Sequence, residues 1–511
     1  MSNSETSSYS RLKRAGLILG PLCFVLLLLA PAPAGLNPLA QRTAAISVLM
    51  VFWWISEAIP LSATALIPLA LFPLLGVLSA KDVSAAYGNP NIFLFAGGFF
   101  IAMAMQKWNL HERIALNVIK RTGSRPQTLV WGFMLATALL SMWISNTATA
   151  VMMLPIALAV IDTITNNAKG TGADRFGVCV LLGIAYAASI GGVSTLIGTP
   201  PNGVFITQFA AMYPEAEEIG FLQWMLVGVP LSAILLPATW FLLTKVLFRF
   251  EGLSMQDVDQ VITKRLDSLG RMNRGEKTVM AVWVATAAAW IFRSDIDLGS
   301  LVIPGWARWF PEASYIHNGT IAIMSALLLF VIPVDLKKGE FALDWNWAKR
   351  IPWGILILFG GGLALAVGFD KSGLVLWIGG KLTALQGVPP IVVIACIALL
   401  LTFVTELTSN VATAAIMMPI LGGALAPALG VNPLLLMIPA AISASCAFML
   451  PVATPPNAIV FGGGHITVPQ MARAGLGLNL IGVLLITLLT YFVAVPVFEI
   501  SFTELPNWMA K

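Results

Sequence analysis

The feature that most constrains this chain is a long series of apolar segments, each of a length suited to crossing a membrane. An α-helix needs about 20 apolar residues to span the hydrocarbon core of a bilayer, and such runs recur along nearly the whole sequence. Only 10% of the residues are charged, whereas 58% are hydrophobic, and soluble domains carry about 25% charged residues. The sequence therefore predicts an all-α polytopic membrane protein.

Two of the apolar segments, 127–163 and 388–428, are nearly twice as long as one crossing needs. Each carries a polar break near its centre, Ser145-Asn146-Thr147 in the first and Ser409-Asn410-Val411 in the second. A helical hairpin that enters and leaves on the same side of the membrane fits both the length and the break. We therefore predict about 11 transmembrane helices plus two re-entrant hairpins. The predicted crossings are 15–32, 42–59, 61–78, 88–106, 176–206, 222–248, 276–293, 317–334, 352–369, 434–462 and 473–498.

The two breaks belong to an internal repeat. The Ser-Asn-x-Ala-Thr-Ala sequence at 145–150 recurs at 409–414, and Leu-Phe-x-Gly-Gly at 94–98 recurs at the same offset of 264 residues at 358–362. A Thr-Pro-Pro-Asn sequence occurs at 199–202 and again at 454–457. Each half holds five predicted crossings, an odd number, so the two copies are expected to lie in opposite orientations. This inverted-repeat architecture is typical of secondary transporters.

The repeat predicts a division of the chain into five parts. They are a tail with the first helix (1–41), a first repeat (42–248), a cytoplasmic linker (249–275), a second repeat (276–498) and a C-terminal tail (499–511). Most of the 29 Lys and Arg residues then fall in loops on one side, which the positive-inside rule places in the cytoplasm. We expect a plasma-membrane protein with its N-terminus inside and its C-terminus outside. A net charge of +5 without a basic block gives no indication of nucleic-acid binding.

The polar breaks are the candidate binding site. Polar groups at membrane depth are costly unless they line a cavity or bind a ligand. The start of a half-helix offers free N–H groups to an anion, and the end of one offers carbonyl oxygens to a cation. An Asn amide can present its oxygen to Na⁺ and its NH₂ group to a carboxylate, so Asn146 and Asn410 are candidates for binding both. Ser141 and Thr405 lie one turn before the breaks at equivalent positions, and their hydroxyls are expected to face the same ions.

An enzyme is not expected. His111, His317 and His465 lie far apart in the sequence and form no metal-binding pattern. No nucleophile–base pair is visible in the membrane segments, and no cofactor is predicted other than Na⁺ as a coupling ion. A channel is also disfavoured, because two hairpins entering from opposite faces suit occlusion at one midplane site.

The paired Ser-Asn tips, the paired Thr-Pro-Pro breaks and Trp54-x-x-Glu57-x-x-Pro60 together resemble the divalent anion/sodium symporters, which carry dicarboxylates, citrate or sulfate. The resemblance covers nearly the whole chain and implies a homodimer in which the hairpin-bearing part moves as an elevator. It implies two sodium sites, one at Ser141, Ser145, Asn146 and Gly198 and the other at Thr405, Thr408, Asn410 and Ala453. It also implies substrate contacts from Asn146, Thr147, Thr199, Ser409, Asn410, Thr454 and Pro455.

One residue departs from the pattern of many bacterial relatives. The second tip has Val411 where the first has Thr147, so one hydroxyl is missing from the predicted site. We expect Na⁺-coupled uptake of di- or tricarboxylates of the succinate, malate and fumarate class, by a membrane-embedded protein surrounded by lipid. A dicarboxylate exchanger and a sodium/sulfate symporter on the same fold remain the alternatives.

Overall fold

The chain is seen in a computed structural model that describes residues 10–123, 125–167, 171–250, 253, 258–297, 302–382, 387–502 and 505–509. The helices of the first half are α1 (Arg11–Leu29), α2 (Pro38–Ser56), α3 (Leu61–Thr64), α4 (Ile67–Leu74), α5 (Ala80–Tyr87), α6 (Pro90–Lys107), α7 (Leu110–Thr122), α8 (Pro126–Ser141), α9 (Asn146–Asn167), α10 (Thr171–Val193), α11 (Pro200–Met212) and α12 (Phe221–Phe241), which continues as a π-helix over Leu242–Leu247. The predicted tail residues 1–9, 503–504 and 510–511 and the linker residues 251–252 and 254–257 lie outside the described part.

The second half is also mainly helical. Its helices are α13 (Val258–Ser268), α14 (Arg274–Ile291), α15 (Asn318–Val331), α16 (Trp345–Ala348), α17 (Trp353–Ser372), α18 (Leu374–Leu382), α19 (Pro390–Val404), α20 (Asn410–Met418), α21 (Ala426–Leu429), α22 (Leu434–Ser443), α23 (Pro455–Phe461), α24 (Val468–Leu489) and α25 (Val495–Val497), with π-helices at Pro419–Leu425 and Thr490–Ala494 and 3-10 turns at Trp306–Trp309, Ala313–Tyr315 and Asn507–Met509. Two small antiparallel ribbons pair Ile296–Asp297 with Val302–Ile303 and Pro333–Asp335 with Glu340–Phe341.

The prediction of a polytopic all-α membrane protein is confirmed. Within the described residues, nine helices are long and apolar enough to cross a membrane, and four shorter apolar helices of 10–17 residues accompany them. One predicted crossing differs in detail, because 61–78 forms two short helices, α3 and α4. Pro68 has no N–H to bond back to Thr64, so a continuous helix is interrupted between them.

The helix breaks occur where the polar motifs predicted them. The first long segment divides into α8 and α9 between Ser141 and Asn146, and the second divides into α19 and α20 between Val404 and Asn410. The Thr-Pro-Pro sequences likewise separate α10 from α11 and α22 from α23. Each Thr stands at the N-cap in an extended conformation, and the prolines occupy the first helical turn, where the missing N–H costs no helical hydrogen bond.

The two halves of the chain pack closely at their centre. Helix α11 of the first half contacts α17, α20 and α22 of the second. Phe95 and Phe359, which occupy equivalent positions in the two copies of the repeat, meet edge to face with ring centroids 4.9 Å apart. A Cβ on Gly203 would clash with both rings, so only glycine lets α11 pass this close to them. Contact between equivalent residues is what a two-fold relation between the copies predicts.

Candidate functional site

The first break gathers oxygen atoms around the side chain of Asn146. One terminal atom of its amide lies 2.6 Å from Ser141 Oγ, 3.0 Å from the Ala188 carbonyl oxygen and 3.3 Å from the Gly198 carbonyl oxygen. Carbonyl oxygens only accept hydrogen bonds, so the amide NH₂ group faces them and donates. The Ser141 hydroxyl donates to the Ala188 carbonyl at 2.6 Å. The predicted residues Ser141, Asn146 and Gly198 are thus brought together.

The second break repeats this arrangement. Thr405 Oγ1 lies 2.7 Å from Asn410 Oδ1 and 3.0 Å from the Ala444 carbonyl oxygen. Both oxygens compete for the single proton of the Thr405 hydroxyl, so this cluster holds more acceptors than donors. Thr405 is fully buried, whereas Asn410 is half-buried. The cluster of oxygen atoms is suited to a hard cation such as Na⁺.

The carbonyls of Ala188 and Ala444 were not foreseen from the sequence. They lie 47 and 39 residues along the chain from Ser141 and Thr405, on α10 and just beyond α22. Each is followed by a buried serine, Ser189 or Ser445. The Ala-Ser pair at both places was the available signal, but two small residues inside an apolar helix are common in tightly packed membrane proteins.

Two asparagines donate hydrogen bonds to main-chain carbonyls beside the Thr-Pro-Pro breaks. Nδ2 of Asn202 donates to the Thr195 carbonyl at 2.8 Å, and Nδ2 of Asn457 donates to the Leu450 carbonyl at 3.0 Å. Both side chains are fully buried. Carbonyl groups at the end of a broken helix have no helical partner, and these amides satisfy them. The repeated Asn in Thr-Pro-Pro-Asn was the signal for this role, which sequence reasoning did not assign.

The two breaks of α10–α11 and α22–α23 meet inside the protein. Thr199 Oγ1 lies 3.5 Å from Ser445 Oγ, although the two residues are 246 positions apart. Both side chains are about 1% exposed. Thr454, the counterpart of Thr199, instead accepts a hydrogen bond from the N–H of Asn457 at 3.3 Å and caps its own helix. The predicted substrate residues Thr199 and Thr454 therefore have different partners.

The remaining predicted residues make other contacts. Ser145 Oγ accepts a hydrogen bond from the Ala148 N–H at 3.3 Å, which caps α9. Thr408 Oγ1 lies 2.6 Å from Thr413 Oγ1 and 3.0 Å from the Val404 carbonyl, and the buried Ala453 donates its N–H to Leu450 at 3.2 Å. Thr147 and Pro455 are exposed and Ser409 is half-buried. Their assignment to Na⁺ or to the substrate stays a prediction.

A single acidic side chain supports the second break. Glu406 is 3% exposed, and its carboxylate accepts hydrogen bonds from the N–H groups of Phe448, Met449 and Leu450 at 2.6–3.2 Å. It also accepts one from Asn479 Nδ2 at 2.8 Å. These donors stabilise the carboxylate and fix the loop between α22 and α23, so Glu406 has a positioning role.

Residues 13–498 match the family described as the sodium:sulfate symporter transmembrane region. The chain belongs to this family. The match confirms the resemblance to the divalent anion/sodium symporters and establishes an integral membrane protein. Curated members similar to this chain include the sodium-dependent dicarboxylate transporter SdcS of Staphylococcus saprophyticus, 43% identical over 98% of this chain and 95% of the relative, and SdcS of Staphylococcus aureus, 45% identical over 94% and 90%.

Solved structures of other transporters share the fold of this symporter-family chain. The YdaH transporter of Alcanivorax borkumensis aligns with a TM-score of 0.54 over 88% of this chain and 98% of that one, at 14% identity. MtrF of Neisseria gonorrhoeae aligns with a TM-score of 0.59 over 96% and 97%, at 12% identity. At such low identity the likeness concerns the fold alone.

Proposed function

We propose that this protein is a secondary transporter that couples Na⁺ to the uptake of a dicarboxylate. The observation that carries the proposal is the duplicated cluster at Asn146 and Asn410, where a buried hydroxyl, a main-chain carbonyl and an amide converge at the start of a half-helix. The names of the SdcS relatives support the same ion and substrate class. The substrate crosses the membrane without chemical change.

Each asparagine is proposed to link the cation to the anion. With its NH₂ group inward, Asn146 satisfies the neighbouring carbonyls. A half-turn of the amide points Oδ1 inward and gives four oxygens for Na⁺, from Ser141, Asn146, Ala188 and Gly198, and it frees the NH₂ group for a carboxylate. Sodium binding therefore exposes a donor that the anion needs, which makes substrate affinity depend on the cation.

The anion is proposed to bind between the N-termini of α9 and α20. A helix N-terminus presents free N–H groups and positive dipole to an anion. The N-termini of α11 and α23 contribute less, because Pro200, Pro201, Pro455 and Pro456 have no N–H group. No Lys or Arg lies within 127–163 or 388–428, so the charge of a dicarboxylate is balanced by bound Na⁺.

Alternating access is proposed to arise from an elevator movement of an inverted repeat. The contact between Phe95 and Phe359 and the matching clusters at the two tips support a two-fold relation between the copies. We further propose a homodimer with the N-terminus in the cytoplasm and the C-terminus outside. Cross-linking in native membranes and the accessibility of single cysteines added at each end test these assignments.

The test is uptake of labelled succinate by purified protein in liposomes. The protein is assayed with an inward Na⁺ gradient, with K⁺ in place of Na⁺, and with succinate loaded inside. Uptake that needs external Na⁺ and no internal anion is the expected result. Uptake that needs internal anion and ignores Na⁺ makes the protein an exchanger, and Na⁺-driven uptake of sulfate but not succinate makes it a sulfate symporter.

A further inference from the structure

Helix α9 carries an exposed apolar face, whereas the equivalent face in the second repeat is buried. Val151, Pro155 and Ala159 lie one turn apart on α9 and are all exposed. The equivalent residues Ala415, Pro419 and Gly423 are all buried. Their surroundings differ: α18 packs on the second copy and places Val375 against Gly423, whereas Ala415 lies beside Gly362 of α17.

The corresponding helix of the first repeat, α7, leaves this face uncovered. It packs on α8 and on α13 of the linker. A groove of about 640 Å³ therefore lies between α9 and α13, within the range of roughly 300–1,000 Å³ that is common for ligand sites. We call it the α9–α13 groove; its lining includes Met152, Pro155, Ile156, Ala159, Lys264 and Arg265.

The two walls of the groove differ in chemistry. The α9 wall is apolar, whereas α13 contributes the exposed cations Lys264 and Arg265 beside the apolar Val261 and Ile262. The Arg265 guanidinium pairs with the buried carboxylate of Glu112. Lys264 forms no ion pair with any residue that the structure describes.

We propose that the α9–α13 groove binds an anionic phospholipid. The acyl chain lies along Met152, Pro155 and Ala159, and the phosphate pairs with Lys264. Burial of methylene groups stabilises lipid binding, and each basic residue near the membrane surface adds attraction for an anionic headgroup. A zwitterionic lipid gains only the first of these contributions, so the site selects for negative charge.

The lipid is proposed to cover the face of α9 that α7 leaves exposed. In the second repeat, Val375 of α18 fills the space beside Gly423, the counterpart of Ala159. In the first repeat, an acyl chain fills the equivalent space and ties the predicted hairpin to the linker through Lys264. The proposal concerns binding alone, so its test does not depend on which substrate is transported.

The experiment measures the thermal unfolding of delipidated, detergent-solubilised protein titrated with dioctanoylphosphatidylglycerol. Parallel titrations use dioctanoylphosphatidylcholine, which keeps the chains but is zwitterionic, and glycerol phosphate, which keeps the phosphate without the chains. The variants are Lys264→Gln, which removes the cation, and Ala159→Trp, which fills the groove. Lys277→Gln, an equal charge change on the exposed side of α14, is the matched control.

We expect only phosphatidylglycerol to raise the unfolding midpoint of the unaltered protein and of Lys277→Gln. Lys264→Gln should need about fivefold more lipid for half of the effect, and Ala159→Trp should lose the effect while keeping the lipid-free midpoint of the unaltered protein. Equal shifts with the two lipids, a full shift with glycerol phosphate, no shift with any of them, or an unchanged response of Lys264→Gln would overturn the proposal.

Discussion

The two hairpin tips share their central residues, but the side chain that links tip to loop belongs to the loop in the first copy and to the tip in the second. At the first tip, the loop after α10 donates a hydrogen bond from Thr195 Oγ1 to the Met142 carbonyl at 2.5 Å. At the second tip, position 406 is equivalent to Met142 and carries a glutamate, whose carboxylate accepts hydrogen bonds from the loop after α22. Leu450 takes the place of Thr195 there, and its N–H group donates to Glu406.

This difference shows which parts of a duplicated site can diverge. The hydroxyl, the amide and the carbonyl that converge at each tip have equivalents in both copies, as expected for groups that contact the ligand. The link from tip to loop only has to keep the tip beside the loop. A single hydrogen bond can do this, and so can a carboxylate that accepts several hydrogen bonds. The second tip also carries an acidic residue directly after Thr405, whereas the first has the uncharged Met142 at the equivalent position.

The largest expected effect tests whether the two tips are equally needed. Asn146→Ala and Asn410→Ala should each reduce Na⁺-dependent succinate uptake by about 10- to 100-fold, because a hydrogen bond to a charged group contributes roughly 1.5–3 kcal/mol. Uptake into liposomes measures this. Asn117→Ala, whose amide bonds the Arg113 carbonyl on α7, is the control and should transport normally. Full activity of either tip variant contradicts the shared role of the amides.

The second prediction concerns the two links. Glu406→Gln should lower the free energy of unfolding by about 2–3 kcal/mol, because an amide NH₂ group then faces backbone donors that the carboxylate had satisfied. Thr195→Val removes one hydrogen bond and should cost about 1 kcal/mol. Thermal unfolding of the two purified variants compares them. A larger loss of unfolding free energy for Thr195→Val would show that the stronger link lies at the first tip.

A third comparison uses the tip hydroxyls. Ser141→Ala removes an oxygen from the first cluster and should raise the half-saturating Na⁺ concentration of uptake about fivefold, equivalent to roughly 1 kcal/mol. Thr405→Ser keeps the oxygen of the second cluster and should change this concentration less than about twofold. Sodium titration of succinate uptake gives both values. Similar half-saturating Na⁺ concentrations for the two variants would show that the hydroxyl oxygen does not contribute to cation binding.

The last comparison concerns the position where the tips differ in sequence. Val411→Thr adds a hydroxyl to the second tip, and Thr147→Val removes one from the first. Each should shift the preference among succinate, citrate and sulfate by about three- to tenfold, because one hydrogen bond contributes roughly 1 kcal/mol. Competition against labelled succinate measures the preference. Unchanged profiles in both variants would exclude these side chains from substrate selection.

Much of the fold followed from local patterns. Apolar length identifies membrane helices because a helix in lipid must satisfy its own backbone. The same rule located the breaks, since Ser-Asn and Thr-Pro-Pro sequences in apolar surroundings need partners that a regular helix does not supply. The duplication then paired Ser141 with Thr405 and Asn146 with Asn410. The predicted crossing at 61–78 was wrong in detail, because Pro68 cannot donate the helical hydrogen bond to Thr64 and the segment forms α3 and α4.

By itself, the sequence determined the membrane class, the repeat and the polar residues at each break, because spacing and composition act within a few turns of chain. Only the tertiary structure decided which oxygens complete each cluster. Every residue type has a main-chain carbonyl, so a sequence does not single out those of Ala188 and Ala444. The contact between Thr199 and Ser445 joins residues 246 positions apart. Packing of the helices sets such contacts, and the exposure of the α9 face depends in the same way on the position of α7, which packs on α8 and α13.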